Sequence, residues 1–182
     1  MRYALVVFDF TVARIRDTIA PRDLAVYWAI GWLVDGECEP LGVWIEPQRR
    51  GEPPHQMLDD LKSRGVERIW HATGPGIEPE QVRLAATFPG VTFDSHADPV
   101  LTEALAAARG RVNQPAELVA DQIRGRLIRA IRRRGSFESE AAAVEAVAGA
   151  LQYLERQLDL GADLSKARLP LTRRAQIASS SL

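Results

Sequence analysis

The sequence predicts an α/β protein, a mixed β-sheet with flanking helices that ends in a helical hairpin. Three observations carry this. Residues 3–46 hold apolar runs of strand character, residues 54–93 alternate helical and strand patterns, and the chain from Pro99 onward is helical in texture. Antiparallel strands followed by helix–strand units are the order of a mixed sheet covered by helices.

Tyr3 to Phe10 is a compact apolar run, and Thr11 to Arg16 then alternates apolar and charged side chains as a half-exposed strand does. Leu24 to Val34 is a second run rich in aromatic and β-branched residues. Asp35-Gly36 follows it, and Pro40 to Ile45 is a third run, so the pair around Asp-Gly reads as a hairpin. Gln48 to Pro54, with Arg-Arg-Gly and Pro-Pro, reads as a loop. Pro54 to Ser63 places Met57, Leu58 and Leu61 on one helical face, closed by Arg64-Gly65. Val66 to Ala72 is a buried strand, and Thr73-Gly74-Pro75-Gly76 a turn. Glu78 to Thr87 is a helix whose Glu78 and Glu80 suit the positive end of its dipole. Phe88-Pro89-Gly90 stops that helix, and Val91-Thr92-Phe93 is a short strand. Helices are expected over Leu101–Ala108, Pro115–Arg134 and Phe137–Leu160, the last two joined at Gly135 as an antiparallel hairpin. The expected division is a core over 1–98, a helical appendage over 99–165 and a frayed tail over 166–182.

Composition bounds the function without choosing it. The chain has 182 residues, 46% apolar and 26% charged, with a formal net charge of −1. This suits one soluble domain and excludes wholesale disorder. The lone Cys38 excludes an internal disulfide framework and a cysteine-based zinc cluster. No apolar run reaches the roughly 18 residues of a membrane span and no signal-peptide pattern opens the chain, so the expectation is a cytoplasmic protein with no membrane partner. The small net charge is a cancellation: residues 1–120 carry 12 basic and 17 acidic side chains, and residues 121–182 carry 11 and 7.

Val26-Tyr27-Trp28-Ala29-Ile30-Gly31, then Asp35-Gly36, then Leu41-Gly42-Val43-Trp44-Ile45 resembles the core of the mutator-type bacterial transposases. The likeness runs on through Leu58, Leu61-Lys62 and Arg64-Gly65-Val66 to Gly76-Ile77 and Phe88-Pro89, and covers residues 5–95. It implies a ribonuclease H-like sheet, and DNA cleavage and strand transfer as the family's chemistry. In such a site three carboxylates hold two Mg²⁺ ions, which activate the attacking oxygen and stabilise the leaving one. Asp9 matches the first carboxylate position. Pro75 stands at the second and offers no ligand. The nearest counterpart of the third is Ile177-Ala178-Ser179, where Ala178 lacks the acid. The family's Cys-x-x-His has no match, with His96 and Pro99 in its place, and the DNA-binding segment that precedes the core in the family is absent from this sequence.

These departures predict a catalytically inactive, transposase-derived chain acting as an interaction or self-association module, with itself or another protein as partner and no cofactor. Two alternatives stand beside it. Asp94, His96 and Asp98 alternate after Phe93 and, with Asp9, would rebuild a metal site holding Mg²⁺ or Mn²⁺ in a metal-dependent nuclease. The plainer reading of Asp9 is a leftover carboxylate hydrogen-bonded to neighbouring backbone, and of the other three a polar loop. The second alternative is contact with DNA or other nucleic acid through the cluster Arg124, Arg126, Arg129, Arg132, Arg133 and Arg134. Within it Arg126, Arg129 and Arg133 form one helical stripe able to hold phosphates. The plainer reading there is a solvated face whose last arginines favour the helix C-terminus. Leu118, Ile123, Leu127, Ile128 and Ile131 on that helix, and Val144, Val147, Leu151, Leu154 and Leu158 on the next, form facing apolar stripes. Failing contact with the sheet, their remaining surface would favour self-association.

Overall fold

A computed structural model describes residues 1–16, 20–33, 38–45, 54, 56–77, 80–93 and 116–158. The elements are β1 (Arg2–Ile15), β2 (Arg22–Leu33), β3 (Cys38–Ile45), α1 (Gln56–Ser63), β4 (Arg68–Thr73), α2 (Gln81–Thr87), β5 (Thr92–Phe93), α3 (Ala116–Arg134) and α4 (Glu140–Leu158). The strands form one mixed sheet in the order β3-β2-β1-β4-β5. β1, β2 and β3 are antiparallel neighbours, while β4 pairs parallel with β1 and β5 parallel with β4. The fold is therefore α/β, as the element order predicts.

Each face of the sheet has its own core. One joins Tyr3, Val6 and Phe8 to Met57, Leu58 and Leu61 of α1 and to Leu84 of α2 and Phe88 just after it. The predicted apolar face of α1 is thus the buried one. The other joins Leu5, Val7 and Trp28 to Ile123, Leu127 and Ile131 of α3 and to Val144, Val147 and Leu151 of α4. Large apolar side chains buried this completely contribute about 1.5–3 kcal/mol each. Among the described residues, Ile123, Leu127 and Ile131 of α3 and Val144, Val147, Leu151 and Leu154 of α4 reach the sheet, so the two stripes pack within the chain. The side chains of Leu118 and Leu158 lie outside the described set.

Several boundaries move. The helix expected from Phe137 begins at Glu140, because Ser139 caps it: its Oγ accepts the N–H of Ala142 at 3.1 Å. Phe137 instead lies in extended backbone, bridged to Ile15. α1 starts at Gln56 and α2 at Gln81, after the predicted Pro54 and Glu78. Glu80 stands at the N-cap of α2, at the positive end of its dipole, without a side-chain cap bond, and Glu78 lies outside the described residues. The Asp35-Gly36 turn, the 101–108 helix and the tail lie outside the described residues.

Candidate functional site

Asp9 lies on the central strand β1, two residues beyond the last β1–β4 pair, Val7–Thr73. It is buried, with 2% of its surface exposed. One carboxylate oxygen, Oδ1, accepts the N–H of Phe10 at 2.7 Å, which is the backbone bond expected of a leftover carboxylate. The other, Oδ2, accepts Nε of Arg124 at 2.5 Å, a partner reaching down from α3. Asp121, one turn back on α3, holds Nη1 of the same guanidinium at 3.1 Å. Burial pushes the Asp9 carboxyl above its ordinary value, and the Arg124 and Phe10 hydrogen bonds pull it part of the way back.

The turn after β4 is pressed against this strand. Gly76 donates its N–H to the Phe8 carbonyl at 3.1 Å. A Cβ on Gly74 would lie 2.2 Å from that carbonyl oxygen, and one on Gly76 would lie 2.8 Å from the Asp9 nitrogen. Gly74 also has φ +105°, so both glycines are required for the approach. Pro75, held between them, is exposed, and its side chain carries no oxygen with which to complement Asp9. Across β1, Trp28 is the register partner of Asp9, and its buried indole N–H has no partner among the described residues.

The resemblance compares Asp9 and Pro75 with the family's first two carboxylate positions, and the structure brings the turn that carries Pro75 against the backbone of Phe8 and Asp9. The third, Ala178, lies outside the described residues, as do Asp94, His96 and Asp98. Among the described residues no group of three metal-ligating side chains occurs. His71 is buried in β4, with Nδ1 2.9 Å from the Thr92 hydroxyl of β5, which is a structural placement.

The arginine cluster divides in two. Arg126, Arg129, Arg132 and Arg133 are exposed. Ile123, Leu127 and Ile131 are buried against the sheet, and at 100° per residue Arg126, Arg129 and Arg133 fall on the opposite side of α3. Arg124 does not share that face. It follows Ile123 at the flank of the apolar stripe, but Arg132 follows the buried Ile131 in the same way and is exposed, so sequence adjacency does not single Arg124 out.

Residues 1–93 match the family model described as transposase, Mutator family. The chain belongs to this family. It is similar to a probable transposase for insertion sequence element ISRM3-like of Sinorhizobium fredii, 38% identical over 87 residues, and to the transposase for insertion sequence element ISRM3 of Rhizobium meliloti, 37% identical over 87 residues. Each match covers 48% of this chain and 22% of the relative, so the chain spans about a fifth of the length of these curated relatives. The matched family region ends at β5, ahead of the helix that supplies Arg124. Among the described residues of this Mutator-family chain, no helix is long and apolar enough to cross a membrane.

Proposed function

We propose that this chain is a ribonuclease H-like transposase core that no longer cleaves phosphodiesters and works by binding other macromolecules. The strand order β3-β2-β1-β4-β5, with Asp9 on the central strand beside the end of β4, supports the ribonuclease H-like reading. The observation that carries the loss of chemistry is the Asp9–Arg124 pair. A guanidinium sits where a divalent cation would draw on this carboxylate, and Pro75 supplies no second ligand. A two-metal mechanism needs several hard oxygen donors on ions about 3.5–4 Å apart, and one carboxylate already held by arginine does not provide them. On this reading the chain requires no metal.

The test is incubation of the full chain with supercoiled and linear DNA in Mg²⁺ or Mn²⁺. The expected result is intact DNA. Metal-dependent cleavage that disappears in Asp9→Asn would overturn the reading and favour a rebuilt site that includes Asp94, His96 and Asp98.

The outward stripe of Arg126, Arg129 and Arg133 favours a second reading, contact with nucleic-acid phosphates. Such binding weakens steeply with salt. Replacing Arg129 and Arg133 by Ala should abolish low-salt retention of duplex DNA in a mobility-shift assay while leaving the melting temperature unchanged. Equal retention by wild type and the double variant would remove this reading.

A further inference from the structure

β1 is paired with β2 along almost its whole length, but on its other side the neighbour changes. β4 accompanies it as far as Val7, and Gly76 then donates its N–H to the Phe8 carbonyl. Farther on, Phe137 occupies the same lane: it donates its N–H to the Arg14 carbonyl at 2.8 Å, and its own carbonyl accepts the N–H of Arg16 at 2.7 Å. Backbone groups in a strand alternate sides with a period of two. Phe8, Arg14 and Arg16 face this lane, so Phe10 and Val12 face it too.

The N–H of Phe10 is taken by its neighbour's carboxylate, Oδ1 of Asp9. The carbonyl of Phe10, both groups of Val12 and the N–H of Arg14 meet no backbone partner among the described residues. By the register of the Phe137–Ile15 bridge, a parallel strand in this lane has two open places, opposite Thr11 and Ala13. Above the edge, Phe10 and Val12 expose 38% and 52% of their surface. Arg14 and Arg16, also exposed, stand at its far end, with Asp23 across from Arg14. An open edge bearing apolar side chains is the feature that β-strand addition uses.

We infer that this stretch of β1 is a docking lane for one extended segment of a partner protein, hydrophobic beside Phe10 and Val12 and acidic toward Arg14. The lane is bounded at one end by Gly76, opposite Asp9, and at the other by Phe137, opposite Ile15, leaving roughly 17 Å for five residues, opposite Phe10 to Arg14, at about 3.3 Å each. A single strand fits between those walls, whereas the edge of a second folded copy does not. The carbonyl of Phe10 and N–H of Val12 would bind one residue of the segment, and the carbonyl of Val12 and N–H of Arg14 the next but one. The inference rests on the binding-module reading and gives that module its partner surface.

The test uses a fluorescein-labelled peptide, Val-Ser-Val-Ala-Glu, titrated against the full chain by fluorescence polarisation. Saturable binding is expected. Val12→Lys should weaken it at least tenfold, and Arg14→Glu should weaken it similarly but recover binding with Val-Ser-Val-Ala-Lys. Both substitutions lie on the exposed face, and circular dichroism melts within a few degrees of wild type would confirm that the fold survives. No saturable binding, or equal binding by wild type and Val12→Lys, overturns the lane. So does a concentration-dependent mass in light scattering that is lost in Val12→Lys, because the occupant is then a second copy. Failure of the peptide with DNA still uncleaved removes the lane and leaves the binding-module reading standing. Metal-dependent DNA cleavage removes that reading whatever the peptide does.

Discussion

Between Tyr3 and Asp9 every side chain of β1 is buried, whereas from Phe10 to Ile15 exposed and buried residues alternate. The first stretch lies between β2 and β4, with α1 and α2 on one face and α3 and α4 on the other. Along the second stretch β4 has ended. Ala13 and Ile15 still face the α3–α4 side, while Phe10, Val12 and Arg14 turn outward. Strands covered on both faces read as continuous apolar runs, and strands covered on one face alternate. Asp9 is the last buried residue before the change. A carboxylate at such a boundary is close enough to solvent to serve a metal site, yet buried enough to require a counter-charge, and in this chain Arg124 provides it.

The largest expected effect lies in the contrast between neighbouring positions of one strand. Phe8→Ala, in the doubly covered stretch, should cost about 3–5 kcal/mol through lost burial and the cavity left behind. Val12→Ala, two turns of the pleat away, should change stability by less than about 0.5 kcal/mol. Urea unfolding of the two variants measures both, and equal losses would erase the distinction between the halves of β1.

An intermediate effect is expected at the boundary itself. Arg124→Ala leaves a buried carboxylate without its cation and should cost about 2 kcal/mol, a figure reduced from the fully buried case because the guanidinium is partly in water. In an Asp9→Asn background the same substitution should cost much less, and the difference measures the pair. Identical losses in both backgrounds would mean that Arg124 stabilises the fold by packing alone.

The smallest effect concerns pH. Burial raises the Asp9 carboxyl, Arg124 and the Phe10 N–H lower it, and Asp121 adds a small upward push. An acid whose folded-state pKa lies above its unfolded value binds its proton more tightly when folded. Its stabilising contribution is then full below the unfolded pKa and is lost as pH rises through the folded one. The stability of wild type relative to Asp9→Asn should therefore be more favourable at about pH 4 than at about pH 7 in urea titrations. A gap moving in wild type's favour toward neutral pH would reverse the sign assigned to burial.

The strands and the two principal helices are legible because each must bury an apolar face, and the required period of two or of 3.6 is written in the residues themselves. Tyr3 to Asp9 announces a central strand, and Met57, Leu58 and Leu61 announce the buried face of α1. The turn at Gly74-Pro75-Gly76 is equally plain, although its close contact with the Asp9 backbone is not. Half of the candidate site is legible too: the resemblance points to Asp9 and Pro75, and the Gly74–Gly76 turn packs against the Asp9 backbone. The Asp9–Arg124 pair is not found this way, because Asp9 lies 115 positions from Arg124 in the chain and no local rule links them.

The sequence by itself determined which segments become strands and helices, which of their faces are apolar, and that a Gly-Pro-Gly turn follows β4. These are local properties of periodicity, backbone freedom and side-chain chemistry. The tertiary structure decided the rest. It set β4 against only the first half of β1, so that beside Phe10 and Val12 the strand meets no backbone partner among the described residues. It also laid α3 along β1, so that one arginine of six turns inward to neutralise Asp9 while Arg126, Arg129 and Arg133 face outward. Which backbone groups stay unpaired, and which charges meet, depends on how distant segments pack, and that follows from burying both faces of one sheet.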